Sequence, residues 1–230
     1  MDPNELTTAQ TLTFDPVRRD ALDKLSTFFL GPITADEAER LNKTLYIFAA
    51  QRRQQFQQTG QVDASPFIIY VNSPGGDVDA GLAVMDMCFR VQREYGYPIH
   101  MIVLGMAYSM AVILLQSATR RLMEPFATML VHAPSWTLAG KEDAIFRDYQ
   151  KLADGSRHNL AVFFAQRTGK HDAAWWESFL YSREERFLFP DECLELGLID
   201  EILPPYVIGQ TNLTPPAGRT QPVFQPAVRP

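Results

Sequence analysis

At 230 residues, 46% of them hydrophobic, the chain can bury one sizeable core, which predicts one domain and a tail. A net charge of −6 argues against a general nucleic-acid surface, and Cys88 and Cys193 lack metal-ligand spacing, so neither a disulfide framework nor a zinc site is expected and a reducing, cytoplasmic compartment is favoured. No phosphate-binding glycine loop is present, the start MDPNELTTAQ does not read as a secretory signal, and the apolar run around Ser109 is short and interrupted, so no cofactor, no metal and no membrane contact are expected.

In chain order the pattern alternates strand and helix. Phe28-Phe29-Leu30 reads as a strand leading through Gly31-Pro32 and Thr34 into a helix over Ala35 to Gln51, with Asp36 and Glu37 in the first turn where the helix dipole favours acids. A polar, glutamine-rich link follows. The apolar run Phe67 to Val71 reads as a buried strand ending in Asn72-Ser73-Pro74-Gly75-Gly76-Asp77, whose paired glycines let backbone N–H groups approach a ligand, and a helix through Leu82, Met85 and Phe89 comes next. A third strand over 101–104 is expected to break at Gly105, ahead of a turn carrying Ser109 and a short apolar helix. Ala127 to His132 is a further strand. Lys141 to Thr168 reads as a long helix stopped by Gly169, and beyond Leu203 the chain is proline-rich and loses all periodicity. The expected division is a mobile segment over 1–15, a domain over 16–203 and a disordered tail over 204–230. Such alternation predicts an α/β fold with parallel strands covered by helices.

Three of these turns carry residues with chemical potential. Ser109, on a strand-to-helix turn, has its hydroxyl clear of the sheet and the free N–H groups of a helix start beside it, an arrangement suited to a nucleophile next to an oxyanion. Serine also serves as an N-cap, so the turn alone leaves both readings open. The Gly75-Gly76 turn offers a second donor, or is an ordinary strand-to-helix connection. His132 ends its strand and offers a base, while His100, His158 and His171 lie at a strand start or in polar surroundings.

The order SPGG, GMAYSM, LVHAP and REERF with LGLID resembles the proteolytic subunit of the Clp protease, ClpP, from about Phe28 to Leu203. What the resemblance implies is a ClpP/crotonase-like spiral of strand-strand-helix units with a projecting handle helix over 141–168. It implies a serine endopeptidase with Ser109 as nucleophile, His132 as general base and the N–H groups of Gly76 and Met110 as oxyanion hole. Gly75, Trp136, Thr137 and Leu138 would bind the substrate, which would pair along 135–140 as an added strand. The implied partners are further subunits, in homo- or hetero-oligomeric heptameric rings stacked in pairs, and an AAA+ unfoldase of the Clp type that supplies ATP hydrolysis. Tyr70 matches a position in the family's docking pocket for that unfoldase, or is plain strand packing.

The third catalytic position departs from the family pattern. Where ClpP proteins typically carry aspartate, Glu185-Arg186-Phe187 supplies a glutamate, one methylene longer. Arg183-Glu184 before it also inverts the usual acid-then-arginine order. Three readings follow: a working Ser-His-Glu peptidase, a weak or inactive structural subunit of a mixed ring, and a crotonase-type acyl-CoA enzyme. The joint presence of Ser109 and His132 disfavours the third, because enolate chemistry does not need that pair.

Overall fold

The computed structural model describes residues 26–132, 143–182 and 185–205, and of 143–153 the backbone alone. The expected N-terminal segment 1–15, the tail beyond Pro205, and Trp136, Thr137 and Leu138 lie outside the described residues.

Strand β1 (Thr27–Leu30) leads into helix α1 (Ala35–Thr59), whose N-cap Thr34 accepts the Glu37 N–H at 3.2 Å. Ala38, Leu41, Leu45, Ala49 and Arg52 form its buried stripe at helical spacing. The expected end at Gln51 is too early. Gln and Arg are good helix formers, so the glutamine-rich stretch stays helical until Gly60, which adopts φ 70° and returns its N–H to the Phe56 carbonyl at 2.8 Å. The buried Arg52 is paired rather than stranded: its guanidinium lies 4.4 Å from the Phe67 ring centroid and donates to Ser26 Oγ at 2.7 Å.

Strand β2 (Phe67–Ser73) is followed by helix α2 (Val78–Arg90), capped by Asp77 and extended by one wide turn over Val91–Tyr95. Strand β3 (Ile99–Tyr108) continues through Gly105, so the expected break there does not occur. Gly105 instead takes φ 70° at a bend where β3 changes partners. Its first half, His100 to Val103, pairs with β4 (Arg120–Met123), and its second half, Met106 to Tyr108, pairs with β5 (Thr128–Val131). On its other side the register against β2 shifts between Val71 and Ser73, the mark of a bulge. An apolar run followed by glycine looks alike in sequence whether the strand ends or bends, because the deciding partner is remote.

Helix α3 (Met110–Leu115) is wholly buried. After α4 (Asp143–Thr168) and α5 (Ala173–Tyr181) come β6 (Arg186–Leu188), α6 (Pro190–Glu195) and β7 (Glu201–Ile202). The path β1-β2-β3-β4-β7 is parallel, β5 branches from β3, and β6 joins β5 antiparallel. This is the α/β architecture that the alternating pattern and the resemblance both imply, with the sheet covered by helices. Among the described residues no helix is long and apolar enough to cross a membrane.

Two arginines tie separate segments to this core. Arg121, 5% exposed, donates to the Gly197 carbonyl at 2.9 Å and to Asp200 Oδ1 at 2.5 Å, and Arg167 of α4 donates to the carbonyls of Gln116 and Ala118 just past α3. Burial alone would push the Asp200 carboxyl up; the hydrogen bonds and charge of Arg121 outweigh it and hold that carboxyl below its ordinary range. The Gly197 to Asp200 turn is therefore structural.

Candidate active site

Ser109 sits between β3 and α3 with φ 55° and ψ −123°, a conformation that L residues rarely adopt. Such a backbone costs roughly 1–3 kcal/mol and persists only when its surroundings hold it. Here the Ser109 N–H donates to the Leu130 carbonyl at 2.9 Å, and the Val112 N–H donates to the Ser109 carbonyl at 3.0 Å. Although Ser109 occupies the N-cap position of α3, its side chain makes no capping hydrogen bond. Capping therefore does not explain the serine, and its hydroxyl is left over for other work.

The Gly75-Gly76 turn lies directly against this elbow. A Cβ on Gly75 would fall 2.6 Å from the Tyr108 carbonyl oxygen, 2.8 Å from Ser109 Cβ and 3.2 Å from the Met110 nitrogen, so only glycine permits the approach. Gly76 bridges Ile33: the Ile33 N–H donates to the Gly75 carbonyl and the Asp77 N–H to the Ile33 carbonyl, both at 2.9 Å. That bridge uses the groups on either side of Gly76 and leaves its own N–H aimed elsewhere. Among the described residues neither the Gly76 N–H nor the Met110 N–H finds a protein acceptor. Two free donors thus flank a strained serine. Met110 itself is buried against α2, where a Cβ on Gly81 would fall 2.4 Å from its Cγ.

His132 follows the last residue of β5, and its Nε2 is buried with no hydrogen-bond partner among the described residues. Parallel pairing of Tyr108 with Leu130 brings the elbow alongside the end of β5. The antiparallel ladder pairs Leu130 with Phe187 and Val131 with Arg186, so the next step of the same register sets Glu185 across from His132. Directly opposed residues in such a ladder share a face, with Cβ atoms typically about 5 Å apart. Tyr108, Leu130 and Phe187 form the adjoining row on that face, and the rings of Tyr108 and Phe187 meet edge to face at 5.7 Å. Glu185 is exposed and makes no hydrogen bond or ion pair among the described residues. Ser109, Gly75 and Met110 are therefore neighbours, and His132 and Glu185 lie one step past the paired residues of β5 and β6, while Arg183 and Glu184 fall outside the described residues.

The remaining titratable candidates lie elsewhere. Cys88 and Cys193 are buried, and burial pushes both thiols up to about 12, which keeps them from acting as thiolates. His158 is exposed, His171 stacks on Trp175 with centroids 3.7 Å apart, and burial then the Arg120 charge lower the His100 pKa.

Sequence reasoning missed a pocket of about 350 Å³ that opens beside Met110, between α2, α3 and the later half of α4. Val78, Leu82, Ile113, Leu160 and Phe163 contribute apolar walls, and Tyr181 of α5 closes one side. The α2 residues follow ordinary core spacing. The available signal was Gly81, which makes room for Met110 in their midst.

Comparison with known proteins identifies the family. The Clp protease family model matches residues 13–205. The chain is 33% identical over 138 residues to the ATP-dependent Clp protease proteolytic subunit 3 of Streptomyces avermitilis, a match that covers 59% of each chain. It is 32% identical over 138 residues to the ATP-dependent Clp protease proteolytic subunit 1 of Shouchella clausii, covering 59% of this chain and 67% of that one. The matched stretch thus spans about three-fifths of the first relative's length. A match of the family model across most of the chain, on an α/β fold of the kind the family implies, establishes that the chain belongs to the Clp protease family.

Proposed function

We propose that the chain is a serine endopeptidase subunit that cleaves unfolded polypeptides inside an oligomeric chamber, with Ser109 as nucleophile, His132 as general base and Glu185 as the carboxylate that orients the imidazole. The observation that carries this reading is the strained, uncapped Ser109 packed against Gly75-Gly76. In the acylation step Ser109 Oγ attacks the scissile carbonyl carbon while His132 Nε2 takes its proton. The tetrahedral oxyanion is held by the Gly76 and Met110 N–H groups. As the C–N bond breaks, the imidazolium returns the proton to the leaving amine and leaves an acyl ester on Ser109. Water, deprotonated by His132, then hydrolyses the ester and restores the hydroxyl.

Substrate would lie extended past Gly75 and along Trp136, Thr137 and Leu138, paired through its backbone, with one apolar side chain in the pocket beside Met110. Backbone pairing is indifferent to most side chains, so broad specificity follows. ATP hydrolysis would come from a separate AAA+ unfoldase of the Clp type, and the rings would be heptameric and stacked in pairs. A cytoplasmic location fits such a partner.

A second reading has its own observation. His132 Nε2 has no partner among the described residues, and Glu185 makes no bond there, which favours a structural subunit whose catalytic groups are not engaged. Fluorophosphonate labelling with peptide turnover separates the two. The peptidase reading expects covalent labelling at Ser109 and loss of both labelling and hydrolysis in Ser109→Ala, with assembly intact. An unlabelled wild-type chain, or a Ser109→Ala variant that hydrolyses peptide at the wild-type rate, overturns it.

A further inference from the structure

We propose that Arg186 is a positioning residue that fixes the register of β6 and so keeps Glu185 across from His132; this rests on the Ser109–His132–Glu185 reading. Strand β6 has three residues and, among the described residues, pairs with β5 alone. So short a ladder specifies register weakly, and the period of two makes any error severe. A slip of one residue in one direction puts Arg186 across from His132, replacing a carboxylate by a cation that repels the imidazolium. A slip the other way puts Glu184 there. Side-chain contacts add to the three backbone pairs among the described residues in fixing that register.

Side chains on both faces of β6 meet fixed platforms. On the site face, Phe187 packs edge-on against Tyr108. On the opposite face the Arg186 guanidinium lies 4.4 Å from the centroid of Phe179 on α5. Phe179 stacks on Trp175 at 4.8 Å, and Trp175 on His171 at 3.7 Å. The next residue, Trp176, is fully buried against Phe164 and donates to Thr168 Oγ1 at 3.1 Å, which seats α5 firmly on α4. Arg186 therefore rests on an aromatic column seated on α4, and because Arg186 and Glu185 point to opposite faces, it can hold the strand without entering the site.

The test uses the assembled full-length chain and a fluorogenic peptide, comparing Arg186→Met, Arg186→Lys, Phe179→Leu and the Arg186→Met/Phe179→Leu double variant with Glu185→Gln. The expected result is a kcat lowered roughly 3- to 10-fold by Arg186→Met, the scale of a partly desolvated cation–π contact, with KM little changed. Lysine, which keeps the cation, should restore most of it. Phe179→Leu leaves β6 untouched in sequence and should reproduce the loss, and the double variant should be no worse than either single one. If Glu185→Gln cripples the enzyme while Arg186→Met and Phe179→Leu keep the wild-type kcat, Arg186 has no positioning role. If Glu185→Gln itself leaves turnover unchanged, the triad reading falls and this proposal falls with it.

Discussion

Ser109 shows how a single residue carries a functional inference when its backbone is out of place. A serine that only capped α3 would adopt extended backbone angles and bond a helix N–H; Ser109 does neither. The strain is held by bonds to Leu130 and Val112, so it belongs to the architecture. Glu185 is the other residue on which the reading turns. Its place across from His132 continues the β5–β6 register, and in the proposed triad its extra methylene decides how well it serves. Glu185→Gln should lower kcat on the order of 10⁴-fold, as when a triad carboxylate becomes an amide and the wrong tautomer is held. Glu185→Asp is the finer probe, read by the same peptide assay. Lower activity shows a backbone adapted to glutamate; higher activity shows a subunit whose orienting group has drifted.

Among the elements, the turn after β2 is the most constrained. Gly76 takes φ 147°, and a Cβ there would fall 2.1 Å from the Ile33 carbonyl oxygen, so the residue cannot be changed without opening the bridge to Ile33. If Gly76 supplies the proposed oxyanion-hole N–H, Gly76→Ala should displace it and cost about 10²- to 10³-fold in kcat, with KM much less affected, measured on a peptide substrate. A variant within twofold of wild type would remove Gly76 from the oxyanion hole. Strand β3 is informative in another way. By bending at Gly105 it pairs first with β4 and then with β5, and this second pairing is what carries His132 to Ser109. Had β3 ended at Gly105, serine and histidine would have had no shared ladder.

At the scale of the whole molecule, the Arg121–Asp200 pair fastens β7 and the preceding turn to the core. Since the folded-state pKa of Asp200 lies below its unfolded value, its contribution is present above the unfolded pKa and is lost as pH falls through the folded one. Thermal melts should accordingly show Tm dropping as pH falls below about 4, the ordinary aspartate range, with Asp200→Asn less stable at neutral pH and flatter in acid. An acid profile identical to wild type would show that the pair does not matter. Tyr46, Ile47 and Phe56 stand exposed along α1, an apolar surface that suits burial between subunits. Native mass spectrometry should find rings of seven stacked in pairs, and a monomeric mass at every concentration would refute assembly.

The sequence by itself determined the α/β alternation and which turns carry chemically able residues, because these are local: apolar period, turn chemistry and glycine conformation depend on neighbours in the chain. Four motifs in the right order were legible for the same reason. What only the tertiary structure decided is which of them meet. Ser109's backbone strain, the β5–β6 register that His132 and Glu185 continue, the continuation of β3 through Gly105 and the pocket beside Met110 all arise from contacts between segments far apart in sequence. The early end given to α1 at Gln51 failed more simply. Its polar residues looked like a link, whereas their helix propensity and one remote anchor, Arg52 against Phe67, kept the helix going to Gly60.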